Sequence, residues 1–255
     1  MFMCSNIDDI KNIFKVINTL DAEAVLTFNE QGMVFNFMTR DTTTMVKLTY
    51  FKTNFNKYEL VKPFKFKFLT AYLNEIMKQA SKDDTLFFSF DESFANMKIT
   101  ITKKERKKTY ELALLEPDIK EDIKIPQLSF TIKTSANNLE LLDLLNSLIF
   151  IKLDKNSSDA IRLKASTDGI VIKEEDSERG KSTFTLKDFS KDGIKESVTC
   201  KFGGDLIKKI VTFSNSFSEK SIYEMSNNYP IKITTITPKL ELICILAPRV
   251  DNEWS

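Results

Sequence analysis

The chain has 255 residues, of which 42% are apolar and 29% charged, with only 6 glycines and 6 prolines. This length and composition exclude a disordered or low-complexity chain and allow a sizeable hydrophobic core in one or two domains. The formal net charge is +1, so any basic surface must come from local segregation of the 37 lysines and arginines.

Residue types that many enzymes need are scarce. The absence of histidine excludes Ser-His and Cys-His nucleophile pairs and every His-ligated metal site. Cys4, Cys200 and Cys244 are far apart and favour a reducing intracellular setting over a disulfide framework. No signal peptide and no apolar run of about 18 residues are present, so we expect no membrane partner. We therefore predict no catalytic residue, no metal and no cofactor.

Four stretches have helical periodicity, and most of the rest predicts short strands. In residues 6–20, apolar side chains including Ile10, Phe14 and Ile17 fall on one face, and the same pattern recurs in 69–81, 137–149 and 205–214. Alternating or short apolar runs such as MVFNFM, TLFFSFD, GIVIKEE and ELICILA predict strands, separated by turn residues. Each helix is expected to pack against a sheet.

The order of these elements is repeated. The segment AVLTFNEQGMVF beginning at Ala24 is similar to IRLKASTDGIVI beginning at Ile161, and their glycines are Gly32 and Gly169. Between the halves, residues 116–126 have a proline near each end and alternating charge, which predicts an extended linker. We predict an N-terminal domain 1–115, a connector 116–126, a C-terminal domain 127–250 and a tail 251–255.

Basic residues collect on three of the four predicted helices. The third helix instead carries Glu140 and Asp143 and no base. Lysines on a polar helix face are usually solvated, but several such faces on one surface would form a phosphate-facing wall without base readout. The lysines concerned are Lys11, Lys15, Lys78, Lys82, Lys208 and Lys209.

Several short motifs, in order along the whole chain, resemble those of the proliferating cell nuclear antigen family of sliding DNA clamps. The most specific is Leu246-Ala-Pro-Arg-Val250 near the C-terminus. The others are Glu30-Gln-Gly-Met33, Phe55 with Tyr58, Ile125-Pro126 and Tyr229-Pro-Ile231. Two departures are the Thr39-Arg-Asp41 that follows Met38 and the absence of a basic residue on the third helix.

The resemblance implies an α+β fold of two similar clamp-type domains, with helices on one face of curved antiparallel sheets, assembling into a ring. Three chains, identical or not, would encircle duplex DNA without sequence preference. The expected clients are DNA polymerase, flap endonuclease, DNA ligase and the clamp loader, bound through short peptide motifs. The protein is expected in the cytoplasmic nucleoid if archaeal and in the nucleus if eukaryotic.

The resemblance also assigns two further sets of residues. The positions that match the family's client-peptide pocket are apolar and come from three parts of the chain: Met38, Met45, Ile123, Ile125, Pro230, Ile245, Ala247 and Pro248. The positions expected at the joint between subunits lie on two alternating edge strands: Tyr110, Leu112 and Leu114 on one, and Thr183 and Thr185 on the other. An unpaired edge strand is a liability that such pairing would remove.

Three alternatives stay open. A checkpoint-type clamp subunit would have the same fold and other clients. A monomeric viral polymerase processivity factor would also have two such domains, but would need a broader basic face. An enzyme with a carboxylate-bound metal could use Asp83–Asp84 or Glu174–Asp176, although adjacent carboxylates more often mark solvated turns.

Overall fold

The computed structural model describes residues 1–116, 123–149, 160–176, 180–192, 194 and 196–249. The chain forms two compact units. The first comprises Met1–Thr42, Val46–Lys124 and Pro238–Glu241, and the second Thr43–Met45, Ile125–Thr237 and Leu242–Ser255. The main division falls between Lys124 and Ile125, inside the predicted connector. Residues 117–122 of that connector and the predicted tail 251–255 lie outside the described residues, and the domain boundaries remain a prediction.

The described residues of the first unit form two α-helices, a single 3-10 turn at Lys52–Asn54 and two groups of strands. The helices are α1 (Ile7–Leu20) and α2 (Thr70–Lys78). The strands are β1 (Phe2–Cys4), β2 (Glu23–Asn29), β3 (Gly32–Met38), β4 (Thr44–Phe51), β5 (Lys57–Tyr58), β6 (Phe64–Leu69), β7 (Thr85–Phe90), β8 (Asn96–Lys103) and β9 (Arg106–Ala113). One group runs in the order β5-β1-β7-β8-β9 and the other in the order β4-β3-β2-β6.

Aromatic rings fill much of the first unit's core. Phe2 stacks on Phe28 with ring centroids 4.2 Å apart, and Phe64 meets Phe90 edge-on at 4.6 Å. On the helix side, Phe14 of α1 packs edge-on against Phe35 of β3. The alternation of β2, β3 and β6 places these rings on the inner face of the strands, where burial of large aromatic side chains stabilises the packing.

The second unit has the same kinds of element. Within its described residues, the helices are α3 (Asn138–Asn146) and α4 (Gly204–Asn215). Its strands are β10 (Ile132–Asn137), β11 (Ala160–Ser166), β12 (Gly169–Asp176), β13 (Gly180–Leu186), β14 (Val198–Gly203), β15 (Lys220–Met225), β16 (Ile231–Ile236) and β17 (Leu240–Leu246). They run in the orders β13-β12-β11-β14 and β10-β15-β16-β17.

The core of the second unit is mainly aliphatic and includes a buried polar network. Asn138, at the start of α3, is fully buried and donates through Nδ2 to the Ser218 carbonyl and to Ser221 Oγ, both at 2.8 Å. The Tyr223 hydroxyl donates to Asn138 Oδ1 at 2.6 Å. Because each of these buried polar groups has a partner, the network fixes the entry of α3 without a desolvation penalty.

The predicted repeat is visible in the strand order. The order β4-β3-β2-β6 matches β13-β12-β11-β14, and β1-β7-β8-β9 matches β10-β15-β16-β17. Gly32 and Gly169 begin equivalent strands with φ of 142° and 153°, a conformation that L side chains rarely adopt. The strand pairings that the structure records are antiparallel in both units. The α+β class predicted from the sequence is confirmed.

All four predicted helices are present, but two end earlier than their apolar pattern suggests. The second ends at Lys78 and the third at Asn146. Leu148 is buried beyond the end of α3 and Ile149 is 55% exposed, so the apolar stripe continues past the helix into the following segment. Within the described part of the chain, no helix is long and apolar enough to cross a membrane.

Candidate functional site

The predicted phosphate-facing lysines of the first unit lie on or just after its two packed helices. Lys15 on α1 and Lys82 after α2 are exposed. Lys11 is half-buried because its Nζ donates to the Ala80 carbonyl at 2.8 Å, and Lys78 pairs with Glu75 one helical turn earlier. Two of the four are therefore available to an anion, and two are held by intramolecular contacts.

The helices of the second unit differ in charge from each other. On α4, Lys209 is exposed and Lys208 is half-buried. On α3, Glu140 and Asp143 are both exposed. The N-terminus of α3 is capped by Asn137, whose Oδ1 accepts from the Leu139 and Glu140 amides at 2.9 and 3.1 Å. Glu140 in the first turn also complements the helix dipole. Glu140 thus stabilises the start of its own helix.

The described end of the connector is bound to β3. Asn36 Nδ2 donates to the Ile123 carbonyl at 2.7 Å. Met38, two residues along β3, is 40% exposed. Met38 and Ile123, both predicted for the client pocket, line one small cavity of about 120 Å³ together with residues from β2, β6 and the end of β3. The remaining lining residues are Asp21, Glu23, Ala24, Val25, Phe37, Arg40 and Lys67.

Ion pairs hold the walls of this cavity. Lys67 Nζ lies 2.9 Å from Glu23 Oε2, and Arg40 approaches the other oxygen of Glu23 at 3.4 Å. The hydrogen bond from Lys67 lowers the pKa of the Glu23 carboxyl below its ordinary value. Asp21 Oδ2 accepts from the Arg40 amide at 2.7 Å, which fixes the backbone just after β3. These contacts therefore hold in place the end of β3, which carries the exposed Met38.

The other predicted pocket residues belong to the second unit and differ in exposure. Ile125, Pro230 and Pro248 are half-buried, and Ala247 is exposed. Met45 and Ile245 are only 4% and 7% exposed, although strand alternation places them on the faces of β4 and β17 opposite their buried neighbours Val46 and Cys244. Little of these two side chains is accessible in this structure. The pocket assignment stays a prediction for all eight residues.

The strands predicted at the subunit joint both lie at sheet edges. β9 is the last strand after β8, and β13 is the last after β12. Tyr110 and Leu112 on β9, and Leu114 just after it, are half-buried, while Thr183 and Thr185 on β13 are exposed. Ladder hydrogen bonds on the outer side of an edge strand are available to a second chain.

The chain is similar to a family model over its N-terminal part and to named proteins along most of its length. Residues 5–123 match the family model described as "Proliferating cell nuclear antigen, N-terminal domain". A protein named "DNA polymerase sliding clamp" from Nitrosopumilus maritimus is 24% identical over 256 residues, covering 97% of both chains. One of the same name from Methanococcoides burtonii is 24% identical and covers 96% of both. "DNA polymerase sliding clamp 2" of Sulfolobus acidocaldarius is 28% identical over 159 residues, 60% of this chain and 59% of that protein.

Residues 5–123 therefore belong to the N-terminal domain family of the proliferating cell nuclear antigen type. Two of the motifs that first suggested this family meet in the first unit. The Tyr58 hydroxyl lies 2.7 Å from the carbonyl oxygens of both Asn29 and Gly32, at the β2–β3 turn. Gly32 is required there, since a Cβ would come within 2.1 Å of the Tyr50 carbonyl oxygen. The Tyr58 and Gly32 motifs thus describe one structural device, a pinned hairpin turn.

The polar residues around the described end of the connector were not predicted from the sequence. Asn36, Glu23 and Lys67 sit on strands among aromatic residues, where a polar side chain at an alternating position normally faces solvent. The only signal was that Asn36 interrupts the apolar run MVFNFM. Among the described residues, no three acidic or cysteine side chains gather as a metal site would need.

Proposed function

We propose that this chain is a DNA polymerase sliding clamp, a ring subunit that encircles duplex DNA and tethers a polymerase to its template. The observation that carries the proposal is similarity along almost the entire chain, 96–97% of both proteins, to relatives that bear this name. The duplicated strand order is what a ring with repeated, similarly shaped arcs needs. We assign the chain no catalytic role.

The lysines on α1, α2 and α4 support a sequence-independent contact with DNA. Phosphate contacts from lysine position a protein on DNA without reading its sequence. A closed ring needs few such contacts, because it leaves DNA only by opening or by sliding off an end. The near-neutral net charge is compatible with this mode, since retention does not depend on a strong overall basic field.

Client enzymes are proposed to bind at the connector and the C-terminal strand. The exposed Met38 and the half-buried Ile123, Ile125 and Pro248 offer apolar surface for a short peptide. The backbone of the connector can add hydrogen bonds to an extended flank of that peptide. DNA polymerase is the first expected client, and flap endonuclease, DNA ligase and the clamp loader are expected to use the same surface.

The test is topological retention on DNA. The chain, with any partner subunits it needs, is loaded by a clamp loader and ATP onto a nicked circular plasmid and separated from free protein by gel filtration. We expect it to co-elute with the circle at 0.3 M KCl and to be lost when a restriction enzyme linearises the plasmid.

One control and one contrary outcome complete the test. A plasmid linearised before loading should retain no protein after the column. Equal retention on circular and linear DNA would contradict encirclement and favour a factor that holds DNA by charge, as a monomeric viral processivity factor would.

A further inference from the structure

Exposed basic residues lie side by side on one face of the β13-β12-β11-β14 strands. Arg162 and Lys164 on β11 and Lys173 on β12 are exposed, whereas their strand neighbours Leu163 and Ile172 are buried. Because side chains alternate along a strand, the three basic residues share the face that turns away from the core. Together they form a basic face on the second unit.

The strand register sets like charges directly opposite each other on this face. Arg162 is paired with Lys173 on one side and with Lys201 on the other. Residues opposite each other on adjacent strands have Cβ atoms about 4.5–5.5 Å apart, and like charges at this separation destabilise a sheet. Lys201 is half-buried and makes contacts of its own, so the basic face consists of the three exposed residues.

Intramolecular ion pairs do not offset this repulsion. Within the described part of the chain, no carboxylate pairs with Arg162, Lys164 or Lys173. Lys181 on β13 is in register with Glu175 and is not counted in the basic face. The other residues opposite the three bases are neutral, namely Val171, Thr183 and Thr199. A bound anion would therefore relieve an unfavourable arrangement of charges.

The equivalent face of the first unit holds another segment of the chain. At the offset of 137 residues that relates the two halves, Arg162 corresponds to Val25 and Lys173 to Asn36. Asn36 donates to the Ile123 carbonyl, and Val25 and Ile123 line the same cavity. This face of the repeat is thus suited to holding a connecting segment, and in the second unit it is exposed and carries positive charge.

We propose that the basic face binds an extended acidic segment of a partner protein, in which Asp or Glu alternates with small polar residues. Side chains two residues apart on an extended segment are about 6.6–6.8 Å apart, the spacing that Arg162 and Lys164 have along β11. Two successive carboxylates can therefore meet these two bases, while Lys173 lies beside the first. Arginine suits this contact because its guanidinium binds a carboxylate through two parallel hydrogen bonds.

A nucleic-acid strand fits the basic face less well. Three bases neutralise about three phosphates, whereas the affinity of a protein for nucleic acid grows with the number of phosphates neutralised. Sequence-independent binding of a single strand also uses aromatic side chains on which the nucleobases stack. The described residues of the basic face and those opposite them in the ladder include no aromatic side chain. Peptide carboxylates are therefore the better match.

The experiment measures fluorescence anisotropy of a labelled peptide in which Glu alternates with Thr, titrated with the full chain at about 50 mM KCl, where exposed charges are only partly screened. The test variant Arg162→Val/Lys173→Asn carries the residues that the first unit has at the equivalent positions. It should bind the peptide about fivefold more weakly than wild type, a loss typical of two exposed ion pairs. Its midpoint of urea unfolding should not fall, because the opposed charges are removed.

The matched control is Lys133→Thr/Lys209→Asn, which removes two positive charges from exposed positions on β10 and α4 of the same unit. It should bind the peptide as wild type does. A second peptide with Gln in place of each Glu should show no measurable binding to wild type. A labelled single strand of DNA of similar length should bind the chain in a way that does not change in the test variant.

The proposal fails if wild type does not bind the Glu peptide, if the test and control variants lose affinity equally, or if the Gln peptide binds as tightly as the Glu peptide. A DNA strand that binds more tightly than the peptide and is weakened in the test variant would reassign the basic face to nucleic acid. A lower midpoint of urea unfolding in the test variant would show that the bases stabilise the sheet and would also contradict the proposal. The clamp function is tested separately, since the test variant should be retained on circular DNA as wild type is.

Discussion

The two units have the same strand order but build their interiors differently. Fourteen of the 21 phenylalanines precede residue 125, and the first unit's core is a continuous set of ring contacts. The repeat equivalent of Phe28 is Ala165, and both are fully buried. In the second unit, aliphatic residues and the Asn138 hydrogen-bond network replace the aromatic contacts.

This difference shows which features the shared fold demands. Strand order, the two turn glycines and the helix positions are common to both units, whereas core composition is free to vary as long as volume and patterning are kept. Surface charge also varies, since α3 is acidic where α1, its counterpart in the repeat, carries Lys11 and Lys15. The pattern of apolar residues and turn glycines determines the fold, so the exposed residues can differ between the units in ways that serve assembly and binding.

The aromatic core of the first unit gives the largest expected effect. Phe28→Ala removes a fully buried ring that stacks on Phe2 at 4.2 Å and on Phe64 at 5.4 Å, and should lower the free energy of unfolding by about 3–5 kcal/mol. Leu163→Ala on β11, the equivalent strand of the second unit, removes a buried aliphatic side chain and should cost about 2–4 kcal/mol.

Hydrogen exchange followed by mass spectrometry locates each loss. Protection should fall in β2 and β6 for Phe28→Ala and in β11 and β12 for Leu163→Ala. A cost below about 1 kcal/mol for Phe28→Ala would show that the aromatic contacts contribute little to the first unit.

The two turn glycines allow the two units to be compared at a single equivalent position. In Gly32→Ala the new Cβ would meet the Tyr50 carbonyl oxygen at 2.1 Å and the Lys52 amide nitrogen at 2.7 Å, both backbone atoms that cannot turn away. In Gly169→Ala the nearest atom is the side-chain Thr185 Cγ2 at 2.7 Å, followed by the Leu186 carbonyl oxygen at 2.9 Å. We expect costs of about 3 and about 2 kcal/mol, measured by urea unfolding. Equal costs would mean that both turns relax alike.

Most of the fold could be predicted from periodicity and spacing, and much of the site could not. The helix faces of α1 and α4 and the 137-residue offset between Gly32 and Gly169 follow from local pattern. The low exposure of Met45 and Ile245 did not, because strand alternation places both on the face opposite buried neighbours such as Val46 and Cys244, and packing from elsewhere in the chain covers them. The Asn36 bond to the connector spans 87 residues, a separation that no local pattern reveals.

The connector carries a backbone contact, the Ile123 carbonyl bound by Asn36, and an apolar side chain, Ile125, that is proposed to bind client peptides. Ile125→Asp places a charge on the half-buried residue next to the connector's Pro126 and should weaken binding of a polymerase-derived client peptide at least tenfold, or about 1.4 kcal/mol. Val61→Asp, at a fully exposed loop position of the first unit, is the control and should bind as wild type. Fluorescence anisotropy with a labelled peptide measures both. Normal binding by Ile125→Asp would remove this residue from the pocket.

The smallest expected effect concerns the lysines of each unit that are proposed to face DNA. Lys15 and Lys209 are exposed, one in each unit, whereas Lys11 and Lys208 on the same helices are half-buried. Each phosphate contact that is lost should reduce the slope of log affinity against log salt by about 0.9. Lys15→Ala/Lys209→Ala should therefore flatten the salt dependence of duplex binding more than Lys11→Ala/Lys208→Ala, because the Lys11 ammonium is already bound to the Ala80 carbonyl. Anisotropy of a short labelled duplex across 25–200 mM KCl measures the slopes, and a blunt-ended duplex of unrelated sequence should give the same values. If the half-buried pair produced the larger change, the surface that meets DNA would have to lie on another side of these helices.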